Sequence, residues 1–554
     1  MSLIRDEIAA LLAKAAEAAQ HDGSLPASAL PEVPVERPQN TEHGDYASTL
    51  PLKLARAARM SPMAIARIVV EHLSQSDYVG SVEVGGAGFI NFTLADAWLA
   101  KQVAAVLAAG KSFGDVDLGH GAKAQVEFVS ANPTGPLHAG SGRGAALGDT
   151  LAGLLAKAGY QVEREYYVND AGTRMAAFFA SAFARYAQQF GGDEQVPADG
   201  YQGQYVSELA RDLAREYGRH FLELPREKAM DELGRLALNR MVERARGDMD
   251  DLGVFFDRWF REQSLFDTNL VGDTICLLRE RGHIAEREGA VWFTTSALGE
   301  DKDNVLVRSN GIPTYFASDI AYHRDKFLLR GFEWVIDIWG ADHQGHVPRM
   351  KAGIEALGVA PERLTVLIHQ MITLKRGNEI VRMSKRTGDI VTLREVLDEV
   401  GRDACRFFFL ARSADSQMDF DLELAKEQSN DNPVYYVQYA HARIASILRY
   451  AAEQGFGGAG EVALLRHPAE LALIRQMLLF PELVADAAQR LEPHRLPYYA
   501  QELARLFHLF YQQCRVVVTE EPELSRARLS LVKAAQIVLA NALGLMGVNA
   551  PEQM

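Results

Sequence analysis

The chain has 554 residues, of which 48% are hydrophobic and 24% charged. This composition is ordinary for a globular protein and argues against collagen-like, disulfide-scaffold and intrinsically disordered classes. No run of about 18 apolar residues occurs, so we expect no membrane-spanning helix. The first helical pattern carries Asp6, Glu7 and Glu17, which predicts an amphipathic helix and not a signal peptide.

Charge and cysteine usage narrow the possible partners. The net charge of −15 argues, for the chain as a whole, against a nucleic-acid partner. Residues 433–554, however, carry 11 Lys+Arg and 11 Asp+Glu, so this neutral segment can still present a basic face. Cys276, Cys405 and Cys514 lie far apart, which argues against a disulfide framework or a zinc site and predicts reduced thiols in a cytoplasmic protein.

The first part of the chain predicts an α+β unit followed by a parallel sheet. Residues 1–115 alternate helical stretches with short strand-like runs. Strand, helix and strand patterns then follow in succession, which is the signature of a βαβ unit. They are predicted over 125–129, 144–158 and 161–167.

The second part changes from mixed to all-helical structure. Residues 175–300 favour charged helices, and the apolar runs 334–339 and 364–368 predict buried parallel strands. From residue 433 onward nearly every segment has helical periodicity, which predicts a helical bundle. The expected fold class is therefore multidomain α/β, with a parallel-sheet domain in the middle and an all-helical domain at the end.

A turn rich in proline and glycine, residues 131–144, follows the first strand of the βαβ unit. Its Gly140-x-Gly142-x-x-Ala145 spacing matches the dinucleotide-binding fingerprint, which would predict hydride transfer with NAD. In that fold the first glycine directly follows the strand. Here nine residues separate Ser130 from Gly140, which disfavours NAD.

The same turn is suited to binding phosphate. His138 directly precedes the predicted helix, where backbone N–H groups and the helix dipole attract anions. A histidine there can donate to a phosphate oxygen as negative charge develops. Far downstream, the basic Arg-Met-Ser-Lys-Arg segment at 382–386 can close over a triphosphate and stabilise a leaving diphosphate. Each feature alone is common in loops, but the pair is specific.

These segments carry a family resemblance. His138-Ala139-Gly140-Ser141 and residues 382–385 resemble the two signatures of class I aminoacyl-tRNA synthetases, usually written HIGH and KMSKS. The stretches VEFVSANPTGPLHAGSGRGAALGD, YYVNDAG, YFASDIAYHRDKF and WGADHQGHVPRM resemble the arginyl-tRNA synthetase family in particular. The N-terminal VERPQNTEHGDYAS and the closing ALGLMGVNAPEQM extend the resemblance over essentially the whole chain.

The resemblance implies a domain plan: a class I Rossmann-like catalytic domain with a parallel sheet, an α+β N-terminal domain and an all-helical anticodon-binding C-terminal domain. The implied bounds are 1–115 for an additional tRNA-contacting domain, 116–395 for the catalytic domain with a helical insertion near 185–300, 396–432 for a connecting segment that contacts the tRNA stem, and 433–554 for the anticodon-binding domain.

The resemblance also implies a two-step ligase reaction. The carboxylate of L-arginine attacks the α-phosphate of ATP to give arginyl-adenylate and diphosphate, and a ribose hydroxyl of tRNA(Arg) then accepts the arginyl group. Mg²⁺ would accompany ATP, held by phosphates and water, without a protein-held metal or prosthetic group. We expect a cytoplasmic monomer without a membrane or DNA partner, and the family typically requires tRNA even for the first step.

Specific site residues follow from the matched motifs. The implied catalytic residues are His138, Ser141 and Lys385. The ATP-binding positions are Ala131, Asn132, Pro133, Thr134, Gly135, Pro136, Leu137, Ala139, Gly140, Asp342, His346, Arg382, Met383, Ser384 and Arg386. Asp342 follows an apolar strand and would suit a ribose hydroxyl, whereas a supporting role in the core is equally open for His346.

The arginine pocket needs carboxylates, because a guanidinium pairs best with planar oxygen acceptors. Glu127 lies on the strand that leads into the phosphate turn, and Asp319 lies one helical turn after Tyr315. By resemblance, Glu127 and Asp319 hold the guanidinium and Tyr315 packs against the substrate. Asn132 would contact the amino-acid backbone and His343 would lie near the amino group. The alternative for Glu127 alone is an exposed strand carboxylate.

The signatures depart from the family pattern at three positions. Ser141 replaces the second histidine, Arg382 the first lysine and Arg386 the last serine, while Lys385 is kept. A serine can donate a hydrogen bond but carries no positive charge, and one missing donor can cost about 10²-fold in rate. These departures leave open a weak paralogue that serves as a tRNA-binding module, or another nucleotidyl-transferring enzyme.

RNA contacts are expected in both terminal domains. By analogy, Phe89 and Asn91, in the segment that ends at Phe92, would contact the outer corner of the tRNA. In the C-terminal bundle, aromatic and arginine side chains can stack on unpaired anticodon bases. The candidates are Tyr439, Arg443, Tyr498, Tyr499, Arg505 and Arg515, and for each of them a place in the core or on the plain surface is the alternative.

Overall fold

The computed structural model describes residues 3–381, 391–458 and 460–554. The N-terminal part is an α+β unit, in which four antiparallel strands in the order β1-β2-β4-β3 are packed by helices. Its elements are α1 Ile4–His21, β1 Val35–Glu36, β2 Tyr46–Ser48, α2 Leu50–Ala58, α3 Pro62–Glu71, β3 Val79–Gly85, β4 Phe89–Leu94 and α4 Asp96–Ala109.

The middle of the chain is built on a parallel sheet of five strands in the order β12-β11-β5-β6-β7. The βαβ unit predicted from the sequence is confirmed, although its helix begins at the phosphate turn itself. The elements of this sheet and its crossovers are β5 Lys123–Glu127, α5 Ala139–Lys157, β6 Gln161–Val168, β7 Arg258–Arg261, α11 Tyr315–Arg324, β11 Trp334–Gly340, α12 Val347–Ala356 and β12 Leu364–His369.

Helix α5 lies unusually close to the strand before it. A Cβ on Gly148 would stand 2.2 Å from the Phe128 ring, so only glycine allows this approach. The close packing fixes the start of α5 over the carboxyl end of β5, where ligands bind in open parallel sheets.

The segment between β6 and α11 contains more than the charged helices predicted for 175–300. Three helices pack around a core of their own: α6 Thr173–Gln188, α7 Gln204–Tyr217 and α8 Arg226–Leu252. The chain then returns to the parallel sheet as β7 and forms an antiparallel sheet. These later elements are α9 Gln263–Asp267, α10 Leu270–Glu280, β8 Ile284–Arg287, β9 Ala290–Phe293 and β10 Asn304–Val307.

A small sheet, β14-β13-β15, and short helices link the parallel sheet to the C-terminal bundle. The linking elements are β13 Ile372–Arg376, β14 Glu379–Ile380, α13 Leu393–Val400, α14 Arg402–Phe409, β15 Met418–Asp421 and α15 Leu422–Lys426. The bundle contains α16 Pro433–Glu453, α17 Pro468–Leu478, α18 Phe480–Arg490, α19 Arg495–Gln513 and α20 Pro522–Leu545.

Helix α20 is long and apolar enough to cross a membrane by length and composition alone. In the fold it packs against α16 and α19. Its side chains Val532, Ala535 and Leu539 are buried there. Packing inside the bundle therefore accounts for its apolar residues.

Candidate active site

The phosphate turn ends in a capped helix. His138 is the N-cap residue of α5, and its Nδ1 accepts a hydrogen bond from the backbone N–H of Ser141 at 3.2 Å. A Cβ on Gly140 would stand 2.9 Å from that Nδ1, so glycine is required beside the ring. The His138 side chain is reached by solvent, but the crowded turn lowers its pKa through loss of hydration. A neutral imidazole with Nε2–H free for a phosphate oxygen fits this arrangement.

Other parts of the fold hold the turn in place. The Ala131 carbonyl accepts from the Tyr166 hydroxyl at 3.3 Å, and the Thr134 carbonyl accepts from Tyr205 of α7 at 2.7 Å. Pro133, Thr134 and Leu137 are buried, whereas Asn132 and Pro136 are exposed. The turn is thus anchored from both sides, and Asn132 is exposed on it.

The chain that follows the second signature segment, from Val391 onward, is hydrogen-bonded to the phosphate turn. The Ala139 N–H donates to the Val391 carbonyl at 3.1 Å, and the Leu393 N–H donates to the Leu137 carbonyl at 2.8 Å. Arg382, Met383, Ser384, Lys385 and Arg386 themselves lie outside the described residues. The residues that leave this segment are therefore hydrogen-bonded to the residues that leave the phosphate turn.

A second group of polar side chains lies at the same edge of the sheet, after β11 and β12. Asp342, His343 and His346 lie on a single 3₁₀ segment that directly follows β11. Asp342 and His343 are exposed, and the Asp342 carboxylate acts on the pKa of His138. His346 is exposed and hydrogen-bonded to Arg349, so the alternative of a core histidine does not hold for it. The Asp342 carboxylate is therefore available to accept a hydrogen bond from a ligand bound at the start of α5.

His369, which the sequence did not single out, ends β12 beside this edge. A Cβ on Gly144 of α5 would stand 3.3 Å from its Nε2. Burial lowers the pKa of His369 to about 4. This histidine is therefore neutral and packs against the first turns of α5.

The expected arginine-binding residues Asp319 and Tyr315 both lie on α11, one turn apart. No described residue forms an ion pair with the Asp319 carboxylate, and burial raises its pKa to about 6. The exposed Tyr315 ring lies over Gly172, where a Cβ would stand 3.3 Å from the tyrosine hydroxyl. The helix thus carries an exposed aromatic ring and, one turn later, a half-buried carboxylate that forms no ion pair with a described residue.

A second carboxylate faces Asp319, and the sequence reasoning missed it. Glu262 follows β7 and is 3% exposed, and its Oε2 is buried without a hydrogen-bond partner among the described residues. Burial and the charge of Asp319 raise the pKa of Glu262 to about 7, and the hydroxyls of Ser318 and Tyr167 lie beside it. A buried carboxyl without a cation is costly, so these two groups together mark a cation-binding pocket.

Glu127 is not the exposed strand carboxylate that was the alternative interpretation. It is 6% exposed, and both its oxygens are engaged. Oε1 accepts from the Ser130 hydroxyl at 2.8 Å, and Oε2 lies 2.6 Å from Nζ of Lys326. Glu127 therefore belongs to a paired group whose charge acts on Asp319, whereas Asp319 and Glu262 form no ion pair with a described residue.

The expected RNA-contacting residues divide into surface and core. Phe89 is 37% exposed and Asn91 is half-buried on β4, but Phe92 of the expected segment lies in the core. In α16 the Arg443 guanidinium lies 4.9 Å from the Tyr439 ring centroid and 5.2 Å from that of Tyr511. These rings and the cation form a platform on the bundle surface.

Tyr499 is wrong as an RNA-stacking candidate. Its ring is 6% exposed and its hydroxyl donates to the Gln476 carbonyl at 3.0 Å inside the bundle. Tyr498, next to it on α19, is exposed and donates to the Ala411 carbonyl. Arg505 pairs with Glu502 on its own helix, and Arg515 is exposed.

The donor set for a resident metal is not present in the part of the chain that the structure describes. Among residues 3–381, 391–458 and 460–554, no group of three His, Cys, Asp or Glu side chains is arranged to hold an ion. The three cysteines are free thiols.

Family models match along nearly the whole chain. Residues 2–94 match the arginyl tRNA synthetase N-terminal domain, residues 102–414 the catalytic domain of class I (R) tRNA synthetases, and residues 437–554 the DALR anticodon-binding domain. These matches give no support to the NAD-dependent alternative or to a tRNA-binding module without catalysis.

Curated relatives and a solved structure agree with the family models. The arginine–tRNA ligase of Dehalococcoides mccartyi is 52% identical over 552 residues, and that of Heliobacterium modesticaldum is 50% identical over 559 residues. Each alignment covers 100% of this chain and 99% of the relative. The arginyl-tRNA synthetase of Thermus thermophilus superposes with a TM-score of 0.77 at 25% identity, with 100% of both chains covered. The chain therefore belongs to the arginyl-tRNA synthetases, the class I ligases that use ATP to attach L-arginine to tRNA.

Proposed function

We propose that both half-reactions take place in the cleft between the start of α5 and the carboxyl edge of the parallel sheet. The arginine carboxylate attacks the α-phosphate of ATP and releases diphosphate, and the terminal ribose of tRNA(Arg) then attacks the acyl carbon and releases AMP. No protein nucleophile takes part, so the rate depends on positioning and charge stabilisation. The observation that carries this proposal is the pair of uncompensated carboxylates, Asp319 and Glu262, within the domain that holds the phosphate turn.

The phosphates of ATP are held by the turn. In this proposal, His138 donates from Nε2 to a phosphate oxygen, and the backbone of residues 131–140 lines the nucleotide. The start of α5 adds its N–H groups and dipole. Asp342 accepts from a ribose hydroxyl, and His346 supports its segment. ATP enters with Mg²⁺ held by phosphate and water oxygens, and Lys385 with its neighbours 382–386 closes over the leaving diphosphate.

L-Arginine is held at both of its ends. Asp319 and Glu262 pair with the guanidinium, which carries five N–H donors in a planar fork and can satisfy two carboxylates at once. Tyr315 covers the aliphatic part of the substrate. Glu127 completes the pocket, with Asn132 and His343 at the backbone end, where the carboxylate must meet the α-phosphate.

The remaining parts of the proposal concern tRNA and the state of the protein. The Tyr439–Arg443 platform stacks on anticodon bases, and Phe89 with Asn91 contacts the outer corner of the tRNA. We propose that the protein is a cytoplasmic monomer without a membrane or DNA partner. We also propose that its domains end at residues 115, 395 and 432. Docked tRNA is required for the first step.

Arginine-dependent ATP–diphosphate exchange tests the site. We expect exchange with arginine alone among the standard amino acids, and we expect it to depend on tRNA. Asp319→Asn and Glu262→Gln should each raise the KM for arginine by about 10²-fold while leaving the KM for ATP within about twofold, because a guanidinium left with one buried carboxylate loses a charge-assisted pair. Equal losses for both substrates would contradict a dedicated guanidinium pocket.

Lys385→Ala is the matched control for the nucleotide half of the site. It should lower kcat and leave arginine binding unchanged, since its charge acts on the diphosphate. An unchanged rate would show that the second signature segment does not act in catalysis.

A further inference from the structure

Lys326 is a fully buried lysine that contacts two carboxylates. Its Nζ lies 2.6 Å from Glu127 Oε2 and 2.8 Å from Asp337 Oδ1, and its side chain is 0% exposed. It also lies 4.2 Å from the centroid of the Tyr322 ring. A buried ammonium is rare unless it is paired. The burial of Lys326 beside the proposed arginine pocket is therefore explained by its ion pairs and not by packing alone.

The pairing of strands in the sheet places several carboxylates close together, and a cation stabilises them. Glu127 on β5 is in register with Asp337 on β11 and with Glu165 on β6, so three carboxylates lie side by side across neighbouring strands. Like charges in neighbouring positions repel. Arg330 pairs with Glu165 at 3.0 Å, and Lys326 serves the other two. Without Lys326, Glu127 and Asp337 would compete for one proton.

The cation is delivered by the helix that also carries the substrate contacts. A π-helical turn, Asp325–Leu329, directly follows α11 and contains Lys326. Its wider turn shifts the side chains that follow relative to a regular α-helix. His323, on the same helix, lies 2.9 Å from Asp337 and 2.8 Å from the Asp319 carbonyl oxygen, so Asp337 joins Lys326 to the turn that carries Asp319.

We propose that Lys326 is a positioning residue for arginine binding, which holds Glu127 ionised and aimed at the pocket. This inference rests on the proposed place of Glu127 in the arginine site. Lys326 has no exposed surface, so it acts through Glu127 and not by contact with substrate. Burial raises the pKa of Glu127, and the ammonium of Lys326 opposes that rise. The groups that surround Glu127 are Ser130 from the turn after β5, Glu165 and Tyr167 from β6, Asp337 from β11, and Asp319, Tyr322 and Lys326 from the helical segment, while His323 contacts Asp337.

Removal of the cation should add a further pH dependence to arginine binding, beyond that of the unaltered protein. A buried glutamate without a partner reaches a pKa of about 8–9. With a value of about 8.5, about 3% of Glu127 is ionised at pH 7 and about half at pH 8.5, so apparent affinity falls about 30-fold at pH 7 but only about twofold at pH 8.5. A purely structural lysine would give a loss that does not recover with pH.

The test is calorimetric binding of L-arginine to the full chain, with the Kd of each variant divided by that of the unaltered protein at the same pH. Lys326→Met keeps the length of the side chain and removes its charge. We expect the ratio of about 30 at pH 7 to fall to about 2 at pH 8.5, with ATP affinity within about twofold. A ratio near 1 at pH 7, or a ratio that is equal at both pH values, would overturn the role of Lys326.

Two further variants separate the possible failures. Glu127→Gln should weaken arginine binding at both pH values; if it does not, the proposed place of Glu127 in the site is wrong. The double variant Lys326→Met/Asp337→Asn removes one charge of each sign. Its arginine binding is measured instead if the single change prevents folding. It should show the same recovery with pH, and no recovery would again overturn the proposal.

Arg528→Met is the matched control. Arg528 pairs with Glu470, which is 1% exposed, at 2.7 Å in the C-terminal bundle. This change also leaves a buried carboxylate without its cation, so it should lower thermal stability. At every pH, its Kd for arginine should equal that of the unaltered protein.

Discussion

The affinity for L-arginine should depend on pH, because neither carboxyl of the proposed guanidinium pocket, the buried Glu262 or the half-buried Asp319, forms an ion pair with a described residue. Burial and mutual repulsion raise the pKa of Glu262 to about 7, and burial raises that of Asp319 to about 6. The guanidinium of arginine stays charged throughout this range. Binding therefore needs both carboxyls ionised and releases protons below pH 7.

The size of the effect follows from the ionised fractions. At pH 6 about one Glu262 in eleven and about half of Asp319 are ionised, so about one molecule in twenty is competent. At pH 8 about nine in ten are competent, so arginine should bind about 20-fold more tightly at pH 8 than at pH 6. The two groups titrate as a pair, so the measured midpoints belong to the pocket as a whole.

Calorimetry in buffers of different ionisation enthalpy measures both the Kd and the protons released. We expect release of about one proton per arginine between pH 6 and 7, falling towards zero above pH 8. Glu262→Gln should weaken binding and shift the remaining pH dependence to the lower midpoint of Asp319. A Kd that is constant within about twofold from pH 6 to pH 8, without proton release, would refute the assignment of this pocket.

Three further predictions concern stability, chemistry and tRNA. Because the folded-state pKa of Glu262 is raised from 4.5 to about 7, the ligand-free protein loses stability as pH rises through this window. Glu262→Gln should therefore stabilise it by about 3 kcal/mol more at pH 8 than at pH 4.5, as measured by denaturant unfolding. His138→Gln should lower the arginylation rate by about 10²-fold or more with arginine affinity unchanged, and a change confined to affinity would argue against a role in the transition state. Arg443→Ala should weaken tRNA(Arg) binding by about tenfold without an effect on arginine binding, and equal tRNA affinities would remove the platform from the interface.

The sequence predicted the nucleotide half of the proposed site because its signals are local. The turn before α5, the N-cap position of His138 and the glycine beside it lie within a few residues of one another. Their conformation is set by proline, glycine and the helix start. The strand patterns were also readable, since their apolar runs are continuous: β11 is buried on both faces, whereas β12, at the edge of the sheet, is mostly half-buried and is not the buried strand that was predicted. The order of the motifs sufficed to recognise the family.

The arginine half of the site was only partly predictable. Asp319 and Tyr315 share one helical turn and could be named together. Glu262 could not, because it follows a four-residue strand within a charged stretch that was interpreted as helical. Its signal, an acidic residue two positions after the short apolar run at 259–260, is too weak to recognise without the sheet that β7 joins.

By itself, the sequence determined the family and the order of the domains, and it predicted the turn that we propose to bind phosphate. Only the tertiary structure decided which carboxylates are paired. Glu127 meets Lys326 across 199 positions of the chain, whereas Asp319 and Glu262 form no ion pair with a described residue. It also decided that Tyr499 and Phe92 belong to the core while Tyr498 and Phe89 reach the surface. The physical reason is that the charge state and the burial of a side chain depend on neighbours that folding supplies from distant elements, whereas a turn is shaped by its own residues.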